Sequence, residues 1–124
     1  MPRVLIADDE ESMRTLVARA IAIDGHVTVT AEDGAEALEI LTRENGAFDL
    51  LLTDIKMPVM DGIALALTVA RDFPDLTILL MTGFADQRER AHGLNAIVHD
   101  VVTKPFSVAD IRTAVADALA AKKG

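Results

Sequence analysis

The sequence predicts an α/β fold, a doubly wound five-stranded parallel sheet of order 2-1-3-4-5 carrying five helices. Three observations lead there. Short apolar runs alternate five times with helix-like stretches, the pattern of a parallel sheet covered on both faces. Leu50-Leu51-Leu52 lacks polar alternation, as expected of a strand buried on both sides. Polar residues then collect where the strands end, the edge at which open α/β sheets bind ligands.

The elements follow in order. Val4 to Ala7 is an apolar strand ending in Asp8-Asp9-Glu10-Glu11, acids that suit the first turn of a helix. Met13, Leu16, Val17, Ala20 and Ile21 or Ile23 recur at helical spacing until Asp24-Gly25. His26 to Thr30 alternates apolar and polar residues, the signature of an edge strand with one wetter face. Ala31 to Gly34 turns into a second helix, with Ala37, Leu38 and Leu41 inward and Asn45-Gly46 as its break. Leu50 to Thr53 is the third strand. Pro58 rules out its continuation, and Asp61 is placed to cap a third helix over about Gly62 to Asp72. Leu65, Leu67 and Val69 are available for that helix to pack, and Phe73-Pro74 ends it. Thr77 to Met81 is the fourth strand, closed by Thr82-Gly83. A weaker helix over about Gln87 to Leu94 presents Arg88, Glu89 and Arg90 as a solvated face. Val98 to Thr103 is the fifth strand, stopped by Pro105, and Val108 to about Ala121 a last helix with Ile111, Val115 and Leu119 on one stripe.

Composition narrows the function classes. A chain of 124 residues is one domain able to bury roughly two-thirds of its unfolded surface. A net charge of −8, from 20 acidic and 12 basic residues, disfavours nucleic acid, whose phosphates need clustered Lys and Arg. Aromatics at 3% leave little for a base-stacking platform. The absence of Cys removes disulfides, thiolate metal sites and thiol chemistry. No apolar run approaches the roughly 20 residues that span a bilayer, and no signal peptide precedes the first strand, so the expected compartment is the cytoplasm. His26, His92 and His99 lack ligand spacing, and Met57 and Met60 read as loop packing.

The strand ends deliver a constellation. Strand one brings Asp8 and Asp9, strand three Asp54, strand four Thr82 and strand five Lys104, while edge-like strand two brings nothing. Taken singly, the acids could be caps or turn residues, Thr82 a strand-end threonine and Lys104 a solvated lysine. Together they meet at the switch point between strands one and three. Three carboxylates in one cleft repel each other unless a cation compensates. Oxygen donors without His or Cys select a hard ion, and a partly hydrated Mg²⁺ fits best, leaving room for a phosphoryl group. Asp54 is then a candidate nucleophile able to form a mixed anhydride. Lys104 supplies a point charge and Thr82 a hydroxyl donor for the phosphoryl oxygens.

Asp8-Asp9, Asp54 with Met57-Pro58 and Asp61-Gly62, Thr82-Gly83, and Lys104-Pro105-Phe106 together resemble a response-regulator receiver domain of the CheY-like, flavodoxin-like fold. The resemblance covers residues 1–124 as a single receiver domain. It implies that Asp54 takes phosphoryl from a phosphohistidine in a histidine kinase or phosphotransfer protein. It also implies that Asp8, Asp9, Asp54 and the backbone carbonyl of Lys56 hold Mg²⁺, and that the bond before Pro105 is cis. The pattern departs at Val101, where family members often carry an aromatic switch residue. Lys56 sets a cationic stem at the mouth of the site.

Only 20 residues follow Lys104 (105–124), enough for one helix and no output domain, so the output is expected to be a binding event. Asp61 to Leu67 and His99 to Phe106 are similar to CpdR-type single-domain regulators, which help a ring-shaped ATP-dependent (AAA+) protease receive substrates. The surface of the fourth helix, fifth strand and fifth helix is a candidate partner face, with the first helix as an alternative. The expectation is a switch that catalyses only its own phosphorylation and dephosphorylation. The rivals are a Mg²⁺-dependent small-molecule phosphatase, which would lack a second acid two residues after Asp54, and an adaptor that never uses the site.

Overall fold

The computed structural model describes residues 1–83 and 93–123. In chain order the elements are β1 (Arg3–Ala7), α1 (Glu11–Ala22), β2 (Val27–Ala31), α2 (Gly34–Arg43), β3 (Leu50–Asp54), α3 (Gly62–Asp72), β4 (Thr77–Thr82), β5 (Asp100–Thr103) and α4 (Val108–Lys123). The five strands are parallel in the order β2-β1-β3-β4-β5, as the alternation of elements predicts. The described residues contain four helices rather than five. The helix expected over Gln87 to Leu94 falls outside the described residues except for Gly93 and Leu94, which lie in a turn.

Alternate side chains of the central strands feed two separate cores. Leu5, Ala7, Leu51 and Leu80 pack with Leu41 of α2 and Leu65 and Val69 of α3. Val4, Ile6, Leu50, Leu52, Leu79 and Met81 pack with Val17 and Ile21 of α1 and Ile111 and Val115 of α4. A strand covered on both faces is apolar in either register, as Leu50-Leu51-Leu52 is, and every residue of β3 is buried, its polar end at Thr53 and Asp54 included. Register ties the strand ends together: Ala7 lies beside Thr53, Asp54 beside Met81, and Thr82 beside Thr103.

Helix starts follow side-chain chemistry. Asp61 Oδ1 accepts from the Ala64 N–H at 2.8 Å, and Asp33 Oδ1 from the Glu36 N–H at 2.8 Å. Ser107 and Asp110 cap α4 reciprocally, each side chain accepting from the other's N–H at 3.0 Å, a pairing the sequence reading overlooked. Asp8 and Asp9 do not enter α1. Its N-cap is Glu10, which makes no side-chain cap bond, and Glu11 is the acid of the first turn. Leu67, expected inward, is 51% exposed because α3 turns Leu65, Ala66 and Val69 to the sheet. β5 begins at Asp100, two residues later than expected, and β2 one residue later, at Val27.

Among the described residues no helix is long and apolar enough to cross a membrane. Met57 is buried in the core and Met60 packs against it, as loop-packing residues. His99 Nε2 lies 3.0 Å from Asp117 Oδ2 on α4. His26 is partly buried, its Nδ1 without a hydrogen-bond partner, and His92 lies outside the described residues.

The loop after β3 carries local strain. The Met60 N–H donates to the Pro58 carbonyl at 2.7 Å across Val59, whose φ is +69°. A three-residue turn of positive φ is rare and strained, the more so at a β-branched residue. Val59 is 85% exposed, so burial of its side chain does little to offset that strain. Val59→Gly is expected to raise stability by about 0.5–1 kcal/mol, the relief of strain exceeding the added freedom of the unfolded chain. Urea unfolding checks this; a loss of stability would show that the valine makes a stabilising contact.

Candidate functional site

Four strands end at one point of the sheet. β1 runs out into Asp8 and Asp9, β3 ends on Asp54, β4 on Thr82, and Lys104 follows β5. Asp8 and Thr82 are wholly buried, Asp54 is 7% exposed, and Asp9 is exposed. Carboxylate oxygens of Asp8, Asp9 and Asp54 lie within 4.8 Å of one another. Lys104 Nζ reaches between them, 3.2 Å from Asp8 Oδ2 and 3.3 Å from Asp54 Oδ1. Its position is held from the backbone, where the Lys104 N–H donates to the Thr82 carbonyl at 2.8 Å.

Burial pushes the Asp54 pKa from 3.8 up to about 6; the Lys104 ammonium opposes this and the Asp8 carboxylate adds to it. Burial also works against the Lys104 charge, yet the carboxylates of Asp54 and Asp8 outweigh it and hold its pKa above the usual lysine value. One lysine therefore does not neutralise the cluster. Three convergent carboxylates with surplus negative charge and only oxygen donors are a fitting seat for a hard divalent ion such as Mg²⁺.

Asp8, Asp9, Asp54 and Lys104 thus come together as predicted, with Thr82 buried at the neighbouring strand end. Lys56 is exposed in the loop after β3, and only its backbone carbonyl was implied as a ligand. Val101, at the position where an aromatic was expected, is partly buried and packs against the core beneath α2 and α3. The Lys104–Pro105 bond is cis.

Gly62, part of the motif, and Arg14, which the motif reading passed over, hold the site's loops. A Cβ on Gly62 would meet the Asp54 carbonyl oxygen and lie 2.9 Å from the Asp54 carbonyl carbon and the Ile55 Cα. The Gly62 N–H donates to the Ile55 carbonyl at 2.8 Å, closing the loop onto the end of β3. Asp61-Gly62 reads in sequence as a turn, but the glycine is required by close approach rather than by a left-handed φ. Arg14 of α1 donates from Nη1 to the Asp8 carbonyl at 2.7 Å.

Comparison with known proteins agrees with this geometry. A family model described as the response regulator receiver domain matches residues 4–116. The chain belongs to that family. It is 39% identical over 111 residues to the response regulator receiver protein CpdR of Brucella abortus, covering 90% of this chain and 91% of that protein. It is 34% identical over 113 residues to the probable transcriptional regulator ycf27 of Guillardia theta, covering 91% of this chain but 43% of that protein. Against the response regulator MprA of Mycobacterium ulcerans it likewise spans less than half, 46%, of the relative.

Among solved structures, a receiver domain protein from Clostridium thermocellum superposes with a TM-score of 0.89 at 25% identity, covering 99% of this chain and 98% of that one. The response regulator TrrA of Thermotoga maritima, solved in complex with Mg²⁺-BeF, gives 0.83 at 29% identity over 94% of this chain and 98% of its own. The chain is a receiver domain of two-component systems with the CheY-like fold.

Proposed function

We propose that this receiver domain accepts a phosphoryl group on Asp54 from a phosphohistidine donor, with Mg²⁺, and that the modification switches binding to a downstream protein. The observation that carries this reading is the convergence of Asp8, Asp9 and Asp54 around the Lys104 ammonium. The Mg²⁺-BeF complex of TrrA, a relative with the same fold, supports it.

In the transfer, an ionised Asp54 oxygen forms the new O–P bond as the donor's N–P bond breaks. The electron pair stays on the imidazole nitrogen, which takes up a proton. Lys104 Nζ, already 3.3 Å from Asp54, would pair with the phosphoryl oxygens, and Thr82, at the end of β4, would offer its hydroxyl. Asp8, Asp9, Asp54 and the Lys56 carbonyl would hold Mg²⁺, which when bound neutralises charge developing on the phosphoryl oxygens. Hydrolysis of the resulting mixed anhydride is the only further reaction assigned to the domain.

Phosphorylation adds about −1.5 to −2 charge at a buried point. Differential contacts of Thr82 and Lys104 with that charge set the size of the switch, typically about 1–3 kcal/mol. The 39% identity to CpdR across nearly its whole length favours a binding output, with an ATP-dependent AAA+ protease as the candidate partner. Capture of binding proteins with the parent chain, with and without beryllofluoride and Mg²⁺, tests the switch. A partner set that changes with beryllofluoride for the parent but not for Asp54→Asn is expected. An identical set under all conditions would favour an adaptor that never uses the site.

Lys56 stands two residues beyond the acceptor, on the exposed side of the loop. Its stem is placed to influence how water reaches the phosphoryl group. Lys56→Ala is expected to change the dephosphorylation half-life, measured by decay of the labelled protein; an unchanged half-life removes Lys56 from this role.

A further inference from the structure

β2 contributes no residue to the acidic cluster, yet its junction with α2 (Ala31–Gly34) touches both Asp8 and the loop that follows Asp54. On one side the Asp8 N–H donates to the Ala31 carbonyl at 3.1 Å. There the Arg14 guanidinium also holds the Asp8 carbonyl at 2.7 Å while facing Glu32 at 3.7 Å. On the other side the Gly34 N–H donates to the Met60 carbonyl at 3.2 Å. A Cβ on Gly34 would collide with that carbonyl oxygen and sit 3.0 Å from Met60 Cβ and Cγ. The loop so gripped runs from Ile55 to Asp61 and includes Lys56.

Carboxylates that repel one another will spread unless their backbones are fixed, and a divalent ion with strict octahedral geometry tolerates little spread. The loop after β1 and the loop after β3 each have an anchor in residues 31–34, so the distance between them is set there. We infer that the junction of β2 and α2, from Ala31 to Gly34, is a brace for the metal site, with Gly34 and Arg14 as positioning residues that set Mg²⁺ affinity without touching the ion. This rests on the reading of Asp8, Asp9 and Asp54 as the Mg²⁺ cluster. Gly34 acts by the absence of a side chain, which admits the Met60 carbonyl. Arg14 acts by fixing the carbonyl of Asp8, the residue whose carboxylate is wholly buried beside Lys104.

The test is calorimetric titration of the full chain with MgCl₂, for the parent, Gly34→Ala and Arg14→Gln, each checked for folding by circular dichroism. Loss of groups that orient metal ligands weakens metal binding by about 10–100-fold, and about tenfold is expected for each variant. Val115→Ala, a cavity in the core on the far side of the sheet, is the control for general loosening. It is expected to lose stability but keep the parent's Mg²⁺ affinity. Affinities of Gly34→Ala and Arg14→Gln within about twofold of the parent, or an equal loss in Val115→Ala, would overturn the brace. A parent chain that takes up no Mg²⁺ would instead remove the functional reading beneath it.

Discussion

Asp54→Asn is expected to abolish phosphoryl acceptance and at the same time to stabilise the metal-free protein. Both effects follow from one geometry. The residue is the carboxylate against which Lys104 Nζ and the Asp8 and Asp9 oxygens are arranged, and an amide oxygen cannot form the mixed anhydride. Its carboxyl is also held in an unfavourable place, with a pKa of about 6 against 3.8. The native state therefore binds more protons than the unfolded chain between those values. Stability contributed by the neutral form is fully present below about pH 3.8 and is lost as pH rises through about 6. A shift of that size corresponds to about 2–3 kcal/mol at neutral pH, which the uncharged asparagine would recover. Urea unfolding of the parent and variant at pH 7 and pH 4, without metal, reads this out. The stability gain should be large at pH 7 and shrink at pH 4; a variant less stable than the parent at pH 7 would show that attraction to Lys104 outweighs the cost of burying the Asp54 charge.

Gly62→Ala is expected to damage the fold and the site together. The added methyl meets the backbone of Asp54 and Ile55 rather than the far end of a flexible side chain, so relief requires moving the end of β3 or the start of α3. Forced overpacking of this kind costs about 1–3 kcal/mol, and here the upper end is expected because the obstacle is main chain. The hydrogen bond from the Gly62 N–H to the Ile55 carbonyl would lengthen as α3 withdraws. Thermal and urea unfolding measure the loss. A variant within about 0.5 kcal/mol of the parent, the range of an ordinary surface change, would mean that the loop yields freely and that the close approach is incidental.

Most of the fold was legible because the chain repeats one device. An apolar strand surfaces at a polar residue, and a helix returns on one face of the sheet. Leu50 to Leu52 could be read without ambiguity since nothing polar interrupts it, although the strand, expected to end at Thr53, runs on to Asp54. Leu67 could not be placed, because Leu65, Ala66, Leu67 and Val69 offer more apolar positions than one helix face can bury, and only contact with the sheet selects among them. The site was legible where chemistry requires particular side chains: acids for a cation, a lysine and a hydroxyl for phosphoryl oxygens. It was illegible where geometry requires the absence of a side chain or a contact to the main chain. Gly34 and Gly62 look like ordinary turn glycines until the carbonyls of Met60 and Asp54 are seen against them. Arg14 looks like a solvated helix cation until its guanidinium is found on the carbonyl of Asp8.

The central claim is that Asp54 is a Mg²⁺-dependent phosphoryl acceptor. Intact-protein and peptide mass spectrometry after incubation with a small acyl phosphate, in MgCl₂ or in EDTA, measures it most directly. A single phosphoryl adduct confined to the peptide containing Asp54, formed in MgCl₂ and missing in EDTA and in Asp54→Asn, is the predicted result. An adduct on another residue, equal labelling in EDTA, or no labelling in MgCl₂ would contradict the account.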